Sequence, residues 1–290
     1  DFKKSETEPV LIRMSDVKPE PIRWLWPGRI ALGKLTLFAG DPGLGKSFLS
    51  LDMAARISKG RPWPDMRDTP NPVGGVVLLT AEDDLGDTVR PRLDSAMADV
   101  DRIVALSSVL RRNRDGTTRP ESFSLTCDVD ALEQAVRSMD GCRLVIIDPI
   151  SAYMGSADSH MNTEVRAVMA PLSELASRVG VAVVAITHLR KGEGAAIYRT
   201  MGSLGFVAAA RSAWAVTKDK DDDEGHRRLF LPIKNNIAPD QAGLAFRLEP
   251  DDSNGMAYIS WFDDPVLVKA DDAVRQDHKP GPEPQERSEA

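Results

Sequence analysis

Residues 40–47 read GDPGLGKS, a full match to the pattern G-x-x-x-x-G-K-[ST]. They follow the apolar run Leu35, Thr36, Leu37, Phe38, Ala39 and precede a helix-like stretch. Strand, glycine-rich loop and helix are the context in which this pattern cradles a polyphosphate: backbone N–H groups turn inward and the helix contributes the positive end of its dipole. Lys46 is placed to reach the β- and γ-phosphates, and the Ser47 hydroxyl to hold Mg²⁺. The nucleotide-binding set is therefore Gly40, Asp41, Pro42, Gly43, Leu44, Gly45, Lys46, Ser47 and the adjoining Phe48. A glycine turn that matches by chance is the competing reading, and the correct flanks weigh against it.

The surrounding composition is that of a globular protein: 290 residues, 42% hydrophobic and 28% charged. No run approaches the length of a membrane span, and the first residues, DFKKSETEPV, have no apolar signal core, so a cytoplasmic protein without a membrane partner is expected. Cys127 and Cys142 are too few for a disulfide framework or a metal cluster. The chain starts at Asp1, which suggests a domain excised from a longer protein. Its net charge of −7 is concentrated in residues 218–224 (−3) and 263–290 (−4). The remainder is formally neutral, so overall charge neither favours nor excludes a nucleic-acid partner.

Residues 1–27, with prolines at 9, 19, 21 and 27, read as an extended arm. Trp24 and Trp26 are expected to dock the end of that arm on the core, with an inter-subunit contact or a base-stacking surface as alternatives. From residue 34 the pattern alternates: strands at 35–39, 75–80, 103–107, 143–148 and 181–186, helices at 46–59, 86–98, 129–139 and 162–179. This predicts an α/β fold with a mostly parallel sheet. Short strand-like runs at 212–217, 228–234, 243–248 and 257–262 predict antiparallel strands added after about residue 211. One domain over 28–264 and a disordered acidic tail over 265–290 complete the expected organisation.

Three strand ends supply the chemistry. The run Arg143 to Asp148, RLVIID, places a carboxylate at the carboxyl end of a buried strand, where it can hold Mg²⁺ opposite Ser47. The run 76–80 leads into Ala81, Glu82, Asp83, Asp84. Glu82 is the candidate base for a water aimed at the γ-phosphate, while Asp83 and Asp84 suit a helix start. A third run ends in Thr187 and His188, and His188 is a candidate γ-phosphate sensor, with a structural histidine as the alternative.

The set GDPGLGKS, LLTAEDD, LVIIDPISAYMG, AITHLRKG, GSLGFVAAARSAW and RLFLPIKNN, in this order, resembles the RecA/DnaB-like P-loop ATPases, and among them the AAA_25-type, RepA-like hexameric replicative helicases. The resemblance covers about residues 22–262 and implies a RecA-like P-loop NTPase core. It also implies a homo-oligomer, commonly a hexamer, with ATP between neighbouring subunits and hydrolysis coupled to single-stranded DNA. Lys46, Ser47, Glu82, Asp148 and His188 match the family's catalytic positions. Arg211 matches the arginine that completes a neighbour's site, against the alternative of an ion pair at a helix end. The family's late Lys-x-Arg pair is here Lys234, Asn235, Asn236, which leaves Lys234 as a further candidate cation.

DNA contact is expected from 189–202, where Arg190, Lys191 and Arg199 supply cations and Tyr198 a stacking face. A second candidate is 151–163, with Tyr153, His160 and Asn162; both stretches also suit plain solvated loops. The function these features predict is an ATP-driven DNA translocase or helicase of plasmid, phage or mobile-element replication, with ATP and Mg²⁺ as ligands and a primase or replication initiator as possible partner. The alternative is a nucleotide-gated regulatory or recombinase-like DNA-binding ATPase without unwinding activity, which the missing arginine at position 236 favours.

Overall fold

Apolar and β-branched residues at 35–39, followed by glycine, suit a strand covered on both faces. In the computed structural model, which describes residues 9–113, 115–159, 161–188 and 205–275, they form β3 (Leu35–Gly40), buried along its whole length. A short antiparallel hairpin, β1 (Trp24–Trp26) and β2 (Ile30–Ala31), leads into it. Five further strands lie parallel with β3: β4 (Gly75–Thr80), β5 (Ile103–Ala105), β8 (Cys142–Asp148), β9 (Ala182–His188) and β10 (Ser212–Lys218). With β11 (Arg228–Asn235), β12 (Leu244–Asp251) and β13 (Met256–Trp261), the described residues form a nine-stranded sheet in the order β13-β12-β11-β10-β3-β9-β8-β4-β5. A separate hairpin, β6 (Val109–Arg112) and β7 (Thr118–Glu121), follows β5.

Side-chain alternation along the strands divides the core into two layers. Val76, Leu78, Leu144, Ile146, Val184 and Ile186 pack with α1 (Lys46–Lys59) on one face. Val77, Leu79, Val145, Ile147, Val183 and Ala185 pack on the other with α3 (Val129–Ser138) and α4 (Asn162–Val179). The α1 layer holds the largest aromatic group: Trp26 stacks on Trp63 with centroids 4.5 Å apart, and Phe230 stacks on both Trp26 and Trp214. No described helix is long and apolar enough to cross a membrane.

Four expectations are corrected. The first late strand, β10, is parallel to β3, because the chain comes back to the amino end of the sheet through the short helix Gly205–Ala209, where the Arg211 N–H donates to the Leu35 carbonyl. Antiparallel pairing starts only at β11. The helix expected over 86–98 is a π-helical turn, Leu85–Val89, joined to α2 (Arg90–Ser95). Asp84 caps that turn by accepting from the Gly86 and Asp87 N–H groups, and Met97 at a φ of 57° lies just past the end of α2. The arm boundary moves back from 27, since Leu25 and Trp26 are core residues, whereas residues 9–23 are all exposed.

The fourth correction concerns the tail. Residues 265–275 pack on the sheet: Val266 and Gly243 exchange backbone hydrogen bonds, and Ala270 and Ala273 of the helix Ala270–Arg275 cover Leu229, Leu231 and Ala245. Small alanines spaced three apart make that face, while Asp271 and Asp272 lie in the first turn, where the helix dipole favours them. Residues 276–290 lie outside the described residues.

The aromatic layer gives the arm's end its energetic weight. Trp26→Ala is expected to destabilise the fold by about 3–5 kcal/mol in urea titration, as large-to-small core changes do. Leu11→Ala, at an 87% exposed site, is expected to cost less than about 0.5 kcal/mol. Equal effects of the two would contradict this packing.

Candidate nucleotide site

The carboxyl ends of β3, β9, β8 and β4 lie side by side, with Gly40 paired to His188 and Thr80 to Asp148. In an open α/β sheet this edge is where ligands bind. Glycine at position 40 is a steric necessity: a Cβ there would come within 2.4 Å of the Val216 carbonyl of β10. Gly45, at a φ of 85°, turns the loop into α1 in a conformation that favours glycine.

Lys46 is buried and donates to the carbonyls of Gly40 at 2.9 Å and Asp41 at 2.8 Å, with Nδ1 of His188 at 3.4 Å. An ammonium only donates, so Nδ1 accepts, and Nε2 carries the ring proton towards Glu82, whose Oε1 lies 3.7 Å away. Burial lowers the pKa of Lys46, opposed by the charges of Asp148, Asp41 and Glu82. The carboxyl of Asp148 is raised, chiefly by burial, although the Ser47 hydroxyl hydrogen bond and the Lys46 charge favour its ionised form. Glu82 stays largely exposed, open to solvent beside the histidine.

The structure thus brings Lys46, Ser47, Glu82, Asp148 and His188 to one edge. Within the loop, Gly43 and Pro42 are exposed and Asp41 contributes its carbonyl, whereas the Leu44 side chain is buried in the α1 core. Phe48 faces α2: the Arg92 guanidinium lies 4.4 Å from its ring centroid and also pairs with Asp83 at 2.6 Å. No pattern in the sequence signalled this brace, which holds the acidic run beside Glu82 against α2 and depends on a contact nine residues apart.

Arg211 and Lys234 lie at the other end of the sheet. Arg211 precedes β10 at the amino end of β3, and Lys234 pairs with Ala213 at the same level. Arg211 is exposed, whereas Lys234 donates to the carbonyls of Val207 and Ala210 at 2.7 and 2.8 Å, at the end of the short helix. One strand length, roughly 20 Å for six residues, separates them from the phosphate loop, so neither reaches the site of its own chain.

Of the expected DNA contacts, Arg190, Lys191, Tyr198 and Arg199 lie outside the described residues, as does His160. Tyr153 is no solvent-facing contact: it is 8% exposed, packs against Phe123, and burial pushes its hydroxyl up to about 12. The Asn162 side chain is occupied too, accepting from the Gly205 N–H at 2.9 Å.

Comparison with known proteins agrees with this fold. A family model described as an AAA domain, AAA_25, matches residues 2–194. The chain is 28% identical over 168 residues to a DNA repair protein RadA of Halalkalibacterium halodurans, covering 57% of this chain and 30% of that protein. It is 22% identical over 190 residues to the RadA of Streptococcus pneumoniae, covering 66% of this chain and 38% of that one. The chain thus spans about a third of the length of these curated relatives. Among solved structures, the ATPase domain of G40P matches with a TM-score of 0.54 at 14% identity, covering 78% of this chain and 84% of that one, a likeness of fold.

The desolvated Asp148 carboxyl yields a prediction about stability. With its folded pKa raised, it binds a proton more tightly folded than unfolded. Its contribution to stability is therefore greatest below the ordinary aspartate range and is lost as pH rises through the folded value. In nucleotide-free, metal-free thermal melts, Asp148→Asn should equal or exceed the parent midpoint at neutral pH, with the difference narrowing towards acid. A variant less stable at neutral than at acidic pH relative to the parent would contradict the assignment.

Proposed function

The chain belongs to the AAA_25 family, and on that basis we propose that this RecA/DnaB-like P-loop ATPase hydrolyses ATP as a cytoplasmic oligomer, a hexameric DNA translocase or helicase of plasmid, phage or mobile-element replication. The observation that carries the reading is the convergence of Lys46, Ser47, Asp148, Glu82 and His188 on one sheet edge, with Arg211 exposed at the opposite edge. A site so divided is completed only when a second copy brings its amino-terminal edge to the first copy's phosphate loop. Head-to-tail contacts of that kind close into rings or run on as filaments.

In this mechanism the loop backbone and Lys46 bind the triphosphate, the ammonium exchanging its carbonyl partners for phosphate oxygens. The residues present suit magnesium: Ser47 and Asp148 already meet through a hydrogen bond and offer the hard oxygen donors that ion takes. Bound there, it neutralises phosphate charge. Glu82 accepts the proton of the attacking water, and His188, between Glu82 and Lys46, reports phosphate occupancy to the basic run that begins after β9. Arg211 of the neighbouring copy offsets charge developing in transfer.

DNA as the partner rests on the cations at 190, 191 and 199, with Tyr198 beside them, and on the names of the two relatives, both DNA repair proteins. A primase or replication initiator is the expected loading partner. The second reading, a nucleotide-gated or recombinase-like DNA-binding ATPase without unwinding, is favoured by Asn236 in place of arginine and by the engagement of Lys234 with two carbonyls. Stimulation of ATP turnover by single-stranded DNA together with strand displacement supports the motor; DNA binding and turnover without displacement supports the second reading. Turnover indifferent to DNA, with no ring on mass photometry in ATP and Mg²⁺, rejects both.

Two substitutions separate the roles in the site. Lys46→Ala is expected to abolish nucleotide binding, while Glu82→Gln keeps ATP affinity and loses turnover by roughly 10²–10⁴-fold, as removal of a general base does. Parallel loss of binding in the two variants would remove Glu82 from the base role. Mixing Arg211→Ala with Lys46→Ala subunits should restore activity, because each variant lacks a different half of the shared site. Failure at every ratio would make Arg211 a structural residue.

A further inference from the structure

The side chain of Glu82 does little to hold itself in place. It is 63% exposed, and among the described residues its carboxylate makes no hydrogen bond, Nε2 of His188 lying 3.7 Å away. A general base must come within about 3 Å of the group whose proton it takes, so the place of this carboxylate has to be set through the backbone on either side of it. On the amino side the Ala81 N–H donates to the Asp148 carbonyl at 3.1 Å, which ties the run to the strand carrying Asp148. On the carboxyl side the anchor is Asp83, whose carboxylate accepts from Nη1 of Arg92 at 2.6 Å.

Arg92 is itself fixed from several directions. Its guanidinium lies 4.4 Å from the ring centroid of Phe48, the residue after Ser47. Its helix, α2, buries Leu93 and is tied to the turn between β12 and β13: Nδ2 of Asn254 donates to the Pro91 carbonyl at 3.1 Å and to the Ser95 hydroxyl at 2.7 Å. Just past α2, the Arg61 guanidinium donates to the Ala96 carbonyl at 2.7 Å. Only 18% of the Arg92 side chain is exposed, so its charge-assisted bond to Asp83 is stronger than a surface ion pair. The loop that this pair closes contains the π-helical turn Leu85–Val89, a rare geometry that recurs at functional sites. One guanidinium thus touches both the first turn of α1, which carries Lys46 and Ser47, and the residue after Glu82.

We propose that Arg92 is a positioning residue for hydrolysis, setting the distance between Glu82 and the phosphates that Lys46 and Ser47 hold. This role rests on Glu82 being the general base, as read above. Arg92 acts through Asp83 and the backbone, not by contact with the nucleotide. Its loss therefore falls on turnover and leaves ATP affinity unchanged, and a displacement of about 1 Å at the base is enough to cost up to about 10²-fold in rate.

Single-turnover phosphate release and equilibrium ATP binding, both measured on the full chain with Mg²⁺ and oligothymidine, test the role. Arg92→Ala should lower the rate by roughly tenfold to 10²-fold at unchanged ATP affinity. Asp83→Ala, which removes the same bond and leaves Arg92 on Phe48, should reproduce the loss. Arg92→Lys should recover part of the rate, because an ammonium still pairs with Asp83 but does not lie flat on the ring. In a Glu82→Gln background, Arg92→Ala should cause no further loss, since the group it positions is already gone. An equal loss in both backgrounds, a parental rate in either alanine variant, or a loss confined to ATP affinity overturns the proposal. Parental turnover in Glu82→Gln alone removes the base, and the positioning role falls with it.

Discussion

Everything at the nucleotide edge depends on β3 being held between two parallel neighbours. β9 on one side and β10 on the other fix its direction and depth through backbone hydrogen bonds, so the glycine loop must emerge where β9, β8 and β4 also end. The fit leaves no room for a side chain at residue 40, because the Val216 carbonyl of β10 occupies that space. A buried bond between the Thr36 and Ser212 hydroxyls, 3.0 Å apart, ties the two strands at their other end. The geometry of the nucleotide edge is thus set by strand order, and the loop is the visible end of a constraint that runs the length of the sheet.

The same constraint divides charge between the two edges. At the carboxyl edge a buried ammonium, a desolvated carboxyl and a solvent-facing glutamate lie around one histidine. At the amino edge Arg211 is held by its backbone to the start of β3 with its side chain free to face another molecule. Lys234, next to it, is stabilised instead by two peptide carbonyls at a helix end, where cations are favoured. With asparagine at 236 and Lys234 engaged, Arg211 is the exposed cation at the start of β10.

Much of this was legible in the sequence because it is local. The strands at 35, 75 and 143 and the helices at 46 and 162 carry their own periodicity, and polar residues at the ends of apolar runs marked Glu82, Asp148 and His188. What was not legible depends on partners distant in the chain. β10 has the same alternation whether it runs parallel or antiparallel; only its docking on Leu35 decides. The β6–β7 hairpin is polar and short, and it exists because Arg111 finds Asp128. The helix at 270 looks like an acidic tail until the small faces of Ala270 and Ala273 meet Leu229 and Leu231. Tyr153 looked like a loop residue and is buried by Phe123, thirty positions earlier.

The aromatic layer under α1 has an optical consequence. Trp26 and Trp63 lie 4.5 Å apart and 4° from parallel, close enough for their indole transitions to couple, with Trp261 nearly perpendicular to Trp26 at 6.0 Å. Three of the chain's five tryptophans thus sit in one chiral arrangement that exists only when the arm's end, the loop after α1 and the last strand are all in place. The molecule carries its own chromophore for tertiary assembly: circular dichroism in the indole bands registers whether these three distant segments have met, independently of helix content.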